Sequence, residues 1–121
     1  MGLPAPLKLK LYRGDTRVWT STFTDDATGD PLDLTGHVWL CEVRADRSRG
    51  EVLATLEVDT TEAVTGVIRR TLTAEQADLL PPTDPTDPES FYWWDLQSTT
   101  DGHVQTWLAG KVTVEGDASD A

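Results

Sequence analysis

Ser98, Asp95 and either of the two histidines, His37 and His103, are the side chains that could carry acyl-transfer chemistry. A serine becomes a nucleophile when a histidine takes its proton and a carboxylate orients the ring, so these types make a Ser-His-Asp set on paper. No nucleophile motif surrounds Ser98. Both histidines stand at expected strand starts and Asp95 in mid-strand, and nothing in their spacing holds a base within hydrogen-bond reach of the serine. The sequence therefore reads as non-enzymatic, with no catalytic residue assigned and the histidines taken as polar residues at strand ends.

A second chemistry is cation binding. Asp25, Asp26, Asp30 and Asp33 form one acidic cluster, and Asp84, Asp87 and Glu89 another. Calcium accepts such oxygen ligands, but the spacing does not fit an EF-hand loop. Solvated turn carboxylates are the expectation, with no metal and no cofactor. The single cysteine, Cys41, excludes an internal disulfide and leaves too few ligands for a Cys-based zinc site. A third candidate is the tripeptide Arg13-Gly14-Asp15, an adhesion signal in other settings. Here it sits between two strand-like runs and reads as a turn, with Gly14 supplying backbone freedom and Asp15 or Thr16 bonding nearby amides.

The elements that must position these residues follow a period of two. Leu7, Leu9 and Leu11 alternate with lysines in a first strand, and a second runs from Arg17 to Thr24 with Trp19, Ser21 and Phe23 on one face. Asp25 to Gly36 is a loop dense in turn formers. A third strand, His37 to about Ala45, sets Trp39, Cys41 and Val43 opposite Glu42 and Arg44, and "RADRSRG" then turns the chain. The fourth, Glu51 to Val58, places Val52, Ala54, Leu56 and Val58 together; the fifth is Val67 to Leu72. In "TLTAEQADLL" the period breaks: Thr73 and Gln76 make a capping box, which predicts a short helix over about 73–80. It must stop at Pro81-Pro82, and "PPTDPTDPES" is a proline-stiffened loop. Phe91 to Thr99 is an aromatic-rich strand, Asp101-Gly102 a tight turn, and His103 to Glu115 the last strand, with a bulge or bend expected at Gly110. About seven short strands with regular turn signals predict an antiparallel β-sandwich of immunoglobulin type, all-β apart from that helix.

A chain of 121 residues, 38% hydrophobic, supports one core, so residues 1–116 are expected to be a single domain and 117–121 a loose tail. Acidic residues outnumber basic ones 21 to 10, a net charge of -11 that repels a phosphate backbone, so nucleic acid is not an expected partner. The opening MGLPAPLKLKLYRGD lacks the apolar core of a secretory signal, and no run reaches the roughly 20 apolar residues of a membrane helix.

The order "RGDT", Trp19, "TGDPLDLTGH", "LTAEQADLL", "YWWDLQST" and "DGHVQTWLAGKVTVEGD" resembles the short immunoglobulin-like proteins of tailed bacteriophages, and is similar to the N-terminal domain of baseplate upper proteins. The match runs from about Arg13 to Gly116; its strongest pieces are Pro31 to Gly36 and Trp94 to Gln97, and the insert Pro81 to Pro88 departs from it. What the resemblance implies is a virion structural role: a sandwich docked on tail, baseplate, head or fibre attachment, in many copies beside other virion proteins, assembled in the bacterial cytoplasm. It brings no catalytic or cofactor residues. Alternation adds a contact surface. If Tyr92, Trp94 and Leu96 face inward, Phe91 and Trp93 face outward as candidate protein-contact residues, unless the helix or the proline-rich loop covers them. The alternative function is a carbohydrate-binding or adhesion module in which the same rings stack on a sugar.

Overall fold

The computed structural model describes residues 5–45 and 51–115; the expected turn after Ala45 and the tail at 117–121 lie outside them. Alternating apolar and polar residues become eight strands: β1 (Ala5–Pro6), β2 (Leu9–Tyr12), β3 (Arg17–Thr22), β4 (Val38–Arg44), β5 (Val52–Asp59), β6 (Val67–Leu72), β7 (Tyr92–Thr100) and β8 (His103–Glu115). A short helix, α1 (Ala74–Ala77), links β6 to β7, and one turn of 3-10 helix (Ala63–Thr65) precedes β6. The fold is an all-β sandwich. In the larger sheet β8 pairs with β7, β7 with β4, and β4 with the first half of β5; in the smaller, the second half of β5 pairs with β6, and β6 with β3. With β1 and β2 counted as one interrupted first strand, β3 on β6 and β4 on β7 are second on fifth and third on sixth, the pairing of an immunoglobulin-type sandwich.

The structure corrects several details. The first strand is split, and both pieces run parallel to β8, with Ala5 beside Leu108 and Leu9 beside Val112. A parallel pair needs a long crossover, here supplied by the whole intervening domain. β5 serves both sheets, and its alternation slips where Arg44 pairs with Val52, so Val52 is exposed while Leu53 packs against the core. The helix covers only four residues. Thr73 caps it as expected, its Oγ1 accepting from the Gln76 amide at 3.2 Å, but the Gln76 side chain does not return to Thr73. Its Oε1 accepts from the Thr55 amide at 2.9 Å, tying α1 to β5. The Asp101-Gly102 turn has the positive φ values the dipeptide suggested.

Between the sheets lie Trp94 and Leu96 of β7, Cys41 and Val43 of β4, Ile68 and Leu72 of β6, Leu9 and Leu11 of β2, and Val112 and Val114 of β8, all buried. Ala77 and Leu80 close one side of this core, while Leu79 is exposed. Gly110 is not where β8 bulges; the register shifts where Leu96 pairs with Leu108 and Gln97 with Thr106, leaving Trp107 as the extra residue. Gly110 is needed because the Leu7 carbonyl presses on it: a Cβ there would collide with the Leu7 oxygen and lie 2.8 Å from its carbon. Gly110→Ala is expected to cost about 1–3 kcal/mol in urea unfolding, the usual size of an overpacking penalty; an unchanged midpoint would mean that the β1–β2 connection moves aside freely.

Candidate functional site

The residues that could form a triad are only partly brought together. His37 Nδ1 and Ser98 Oγ share a hydrogen bond at 2.9 Å, and the Trp107 indole N–H donates to the same Oγ at 2.9 Å. Around them Trp39, Trp107, His37 and Phe23 pack ring on ring, with centroids 5.0–6.3 Å apart. Ser98 is only 1% exposed, so this tie fastens β7 and β8 to the residue that leads into β4, beneath an aromatic plug. Asp95 stands three residues before Ser98 on the same strand, an odd separation that puts it on the opposite face of the sheet. His103 is exposed at the start of β8.

The acidic clusters resolve into turns. Asp25 Oδ1 accepts the amides of Ala27 and Thr28, and Asp87 Oδ1 that of Glu89. Asp33, Asp59 and Asp84 share one device, in which a threonine two residues on donates both its amide and its hydroxyl to a single carboxylate oxygen. Among the described residues no group of three or more His, Cys, Asp or Glu side chains is placed to hold a metal ion. The threonine hydroxyls first, and the amides second, hold these three carboxyls below their ordinary value of 3.8. The folded chain then takes up those protons at lower pH than the unfolded chain does. Their stabilisation is therefore present above the unfolded value and lost as pH falls through the lowered ones. Circular dichroism is expected to show an acid limb starting near about pH 4, shallower in a Thr35→Val, Thr61→Val, Thr86→Val triple variant. Identical limbs would remove the threonines from the account.

Phe91 and Trp93 do lie on the outer side of the larger sheet, but both are half-buried. Lys111 Nζ sits 4.5 Å from the Phe91 ring centre, a cation–π contact that occupies one face of the ring a sugar would need. The proline-rich loop is strapped beside it. Thr83 exchanges bonds with the Val114 backbone, and the Tyr92 hydroxyl donates to the Pro81 carbonyl at 2.8 Å. Loop and sheet bound a groove of about 400 Å³ lined by Pro85, Pro88, Phe91 and all the chain's lysines, Lys8, Lys10 and Lys111. Trp93 with Leu7, Lys8 and Gly110 lines a smaller hollow next to it.

Cross-strand register arranges the outer face of this sheet in rows. Val38, Thr99 and Val104 form the first; Leu40, Gln97 and Thr106 the second; Glu42, Asp95 and Ala109 the third; Arg44, Trp93 and Lys111 the fourth. Val38, Leu40 and Val104 are 71%, 40% and 61% exposed. Glu42 and Asp95 are direct neighbours across β4 and β7, where like charges repel. Arg44 Nη2 bonds Glu42 Oε1 at 2.6 Å, whereas Asp95 Oδ1 is buried with no hydrogen-bond partner. Burial pushes the Asp95 carboxyl above the ordinary range, with Arg44 opposing the shift and Glu42 adding to it.

Two features escaped the sequence reading. The Glu42–Asp95 pairing depends on register that no local pattern gives. Arg70 is 1% exposed in the core, although alternation in "VIRRTL" does put it on the face of Ile68 and Leu72. The Arg13-Gly14-Asp15 stretch is a turn, with Gly14 at φ 83° and the Asp15 amide donating to the Tyr12 carbonyl. Arg13 is anchored through Nη2 to the Asp78 carbonyl at 2.9 Å, and Thr16 Oγ1 accepts from the Ala74 amide. Compared with protein-family models and with curated proteins, the chain gives no match.

Proposed function

We propose that this chain is a non-enzymatic structural module of a tailed-bacteriophage particle: an immunoglobulin-like sandwich in the tail or baseplate, or at a head or fibre attachment, that joins other particle proteins in many copies. The observation that carries this reading is the outer face of the larger sheet. There an apolar and aromatic surface stands on hydrogen-bonded strands, whereas most of an acidic chain's surface would stay solvated. The residue order that resembles phage sandwiches supports it further. Pro31 to Gly36 forms the loop into β4, with the Leu34 amide donating to the Ala63 carbonyl at 2.9 Å, and Trp94 to Gln97 occupies the centre of β7. A net charge of -11 argues against a nucleic-acid partner. None of the described helices is long and apolar enough to cross a membrane.

Mass spectrometry of gradient-purified particles tests the reading. The chain is expected at a fixed ratio to the major structural proteins, with its density assignable in a particle reconstruction. Its absence from purified particles would overturn the proposal.

A further inference from the structure

The edges of the two sheets are guarded unequally. β1 and β2 close the larger sheet on one side; they are short and separated, Pro6 has no amide to offer, and Lys8 and Lys10 follow it. On the other side the Gln76 side chain takes the Thr55 amide of β5. In the smaller sheet the second half of β5 pairs only over Glu57 to Asp59, with an acid at each end. Proline, lysine, short length and covering groups are the usual means of keeping an edge from pairing with another chain. β3 has none of them: its six residues pair with β6 in unbroken register and include no proline, lysine or acid. A sandwich of this type ordinarily sets its first strand beside the second, but β1 and β2 both run beside β8, and β3 ends its sheet.

Register decides which groups of β3 face outward. The Phe23 amide donates to the Gly66 carbonyl at 2.9 Å, and along an antiparallel ladder such bonded pairs alternate with open ones. Ser21, Trp19 and Arg17 therefore bond β6, whereas Val18, Thr20 and Thr22 turn their amides and carbonyls to the free edge, about 6.8 Å apart. Among the described residues these outward groups have no hydrogen-bond partner. We propose that an extended segment of another protein adds to β3 as a further strand of the smaller sheet, main-chain bonds supplying affinity and alternate side chains specificity. The edge also sets the chemistry of that segment. Positions opposite Trp19 fall on the core side, where apolar side chains complete the cover of a half-buried ring that has the Arg17 guanidinium 5.8 Å from its centre. Positions opposite Val18, Thr20 and Thr22 fall on the outer face and suit β-branched residues. Asp15 precedes the strand and Asp25 and Asp26 follow it, all exposed, so basic residues at the two ends of the segment complement them. The same acids disfavour a second copy as occupant: antiparallel pairing of β3 with its copy about Thr20 sets Asp15 opposite Asp25 of that copy at both ends, where like charges repel. The edge is separate from the outer face of the larger sheet, so its failure would leave the particle reading standing.

The end-blocked peptide Lys-Thr-Val-Thr-Val-Thr-Val-Thr-Val-Thr-Lys follows this pattern and serves as the probe. Fluorescence anisotropy and amide hydrogen exchange on the full chain, in about 0.15 M salt to screen loose charge attraction, test the proposal. The peptide is expected to bind and to slow exchange of the Val18, Thr20 and Thr22 amides at least about tenfold. Thr20→Pro, which deletes one outward amide and no bond to β6, should weaken binding at least about tenfold. N-methylation of the peptide's threonines, which keeps both its lysines, should abolish binding. Circular dichroism should show Thr20→Pro folded; if it does not fold, the methylated peptide decides. No binding at about 1 mM peptide, equal binding of the methylated peptide or by a folded Thr20→Pro, or protection confined to other strands overturns the proposal. So does a wild-type dimer in sedimentation velocity that Thr20→Pro dissociates, which gives the edge to a second copy.

Discussion

Replacing Trp94 with alanine is expected to remove about 3–5 kcal/mol of folding stability, the range for deleting a large aromatic side chain from a packed core. Set against a total of about 5–15 kcal/mol for a domain, that leaves the variant close to unfolded at physiological temperature. Trp94 is fully buried at the middle of β7, touching both sheets. Its indole N–H donates to the Leu7 carbonyl at 2.7 Å, and the Arg70 guanidinium lies 5.4 Å from its ring. The Leu7 oxygen it bonds is the one pressed against Gly110. A missing Cβ on β8 thus lets the N-terminal segment come close enough to reach an indole on β7, two strands in. Trp94→Phe separates the terms: it keeps most of the ring's packing and loses about 1–3 kcal/mol, chiefly the unpaired carbonyl. Urea unfolding should rank wild type above Trp94→Phe above Trp94→Ala. Equal losses in the two variants would assign the effect to the hydrogen bond alone. Trp94→Phe and Gly110→Ala should also be non-additive, since each breaks the same Leu7 contact.

Much of this arrangement was legible as parity. The period of two put Tyr92, Trp94 and Leu96 inside and Phe91 and Trp93 outside; the structure carries the same alternation on along β7, with Ser98 inside and Asp95 outside, which separates the members of the paper triad. Parity says which way a side chain leaves its strand, not what meets it. The half-burial of Phe91 comes from Lys111, twenty residues along, and from a loop whose straps to β8 run through Thr83. The parallel pairing of β2 with β8, the slip at Leu53 and the meeting of His37 with Ser98 across 61 positions all rest on register between distant strands. The short helix forms where expected and is shorter than the pattern predicts, for a related reason. Gln76 had a local partner available in Thr73 but took a tertiary one in Thr55, and the helix ends at Ala77 with Asp78 as its C-cap.

Arg70 is a different case, because parity placed it in the core and residue type argued against leaving it there. Arg70→Met is expected to raise stability by about 1–3 kcal/mol, as replacing buried charges with apolar groups of similar volume often does. On the favourable side of the native residue stand one bond, Nη2 to Ser21 Oγ at 2.8 Å, and the cation–π contact with Trp94, together about 2–4 kcal/mol. Against them stands a guanidinium that is 1% exposed, with Nε and Nη1 lacking any hydrogen-bond partner. Desolvating a charge costs several kcal/mol, and two unsatisfied donors add about 1–3 kcal/mol each. Burial accordingly pulls the Arg70 pKa below its ordinary value, and beside it burial pushes the Cys41 thiol up to about 12, which leaves it neutral and unable to serve as counter-anion. Methionine would fill the space of the arginine stem and set a polarisable sulfur against the indole, while the half-exposed Ser21 hydroxyl turns to water. Arg70→Ala should instead lose stability, because it leaves a cavity where the stem had packed. Opposite signs for Met and Ala in denaturant unfolding would show that Arg70 contributes through its volume and costs through its charge. Destabilisation by both would mean that the Ser21 and Trp94 contacts outweigh the desolvation, and that the core is built around the cation.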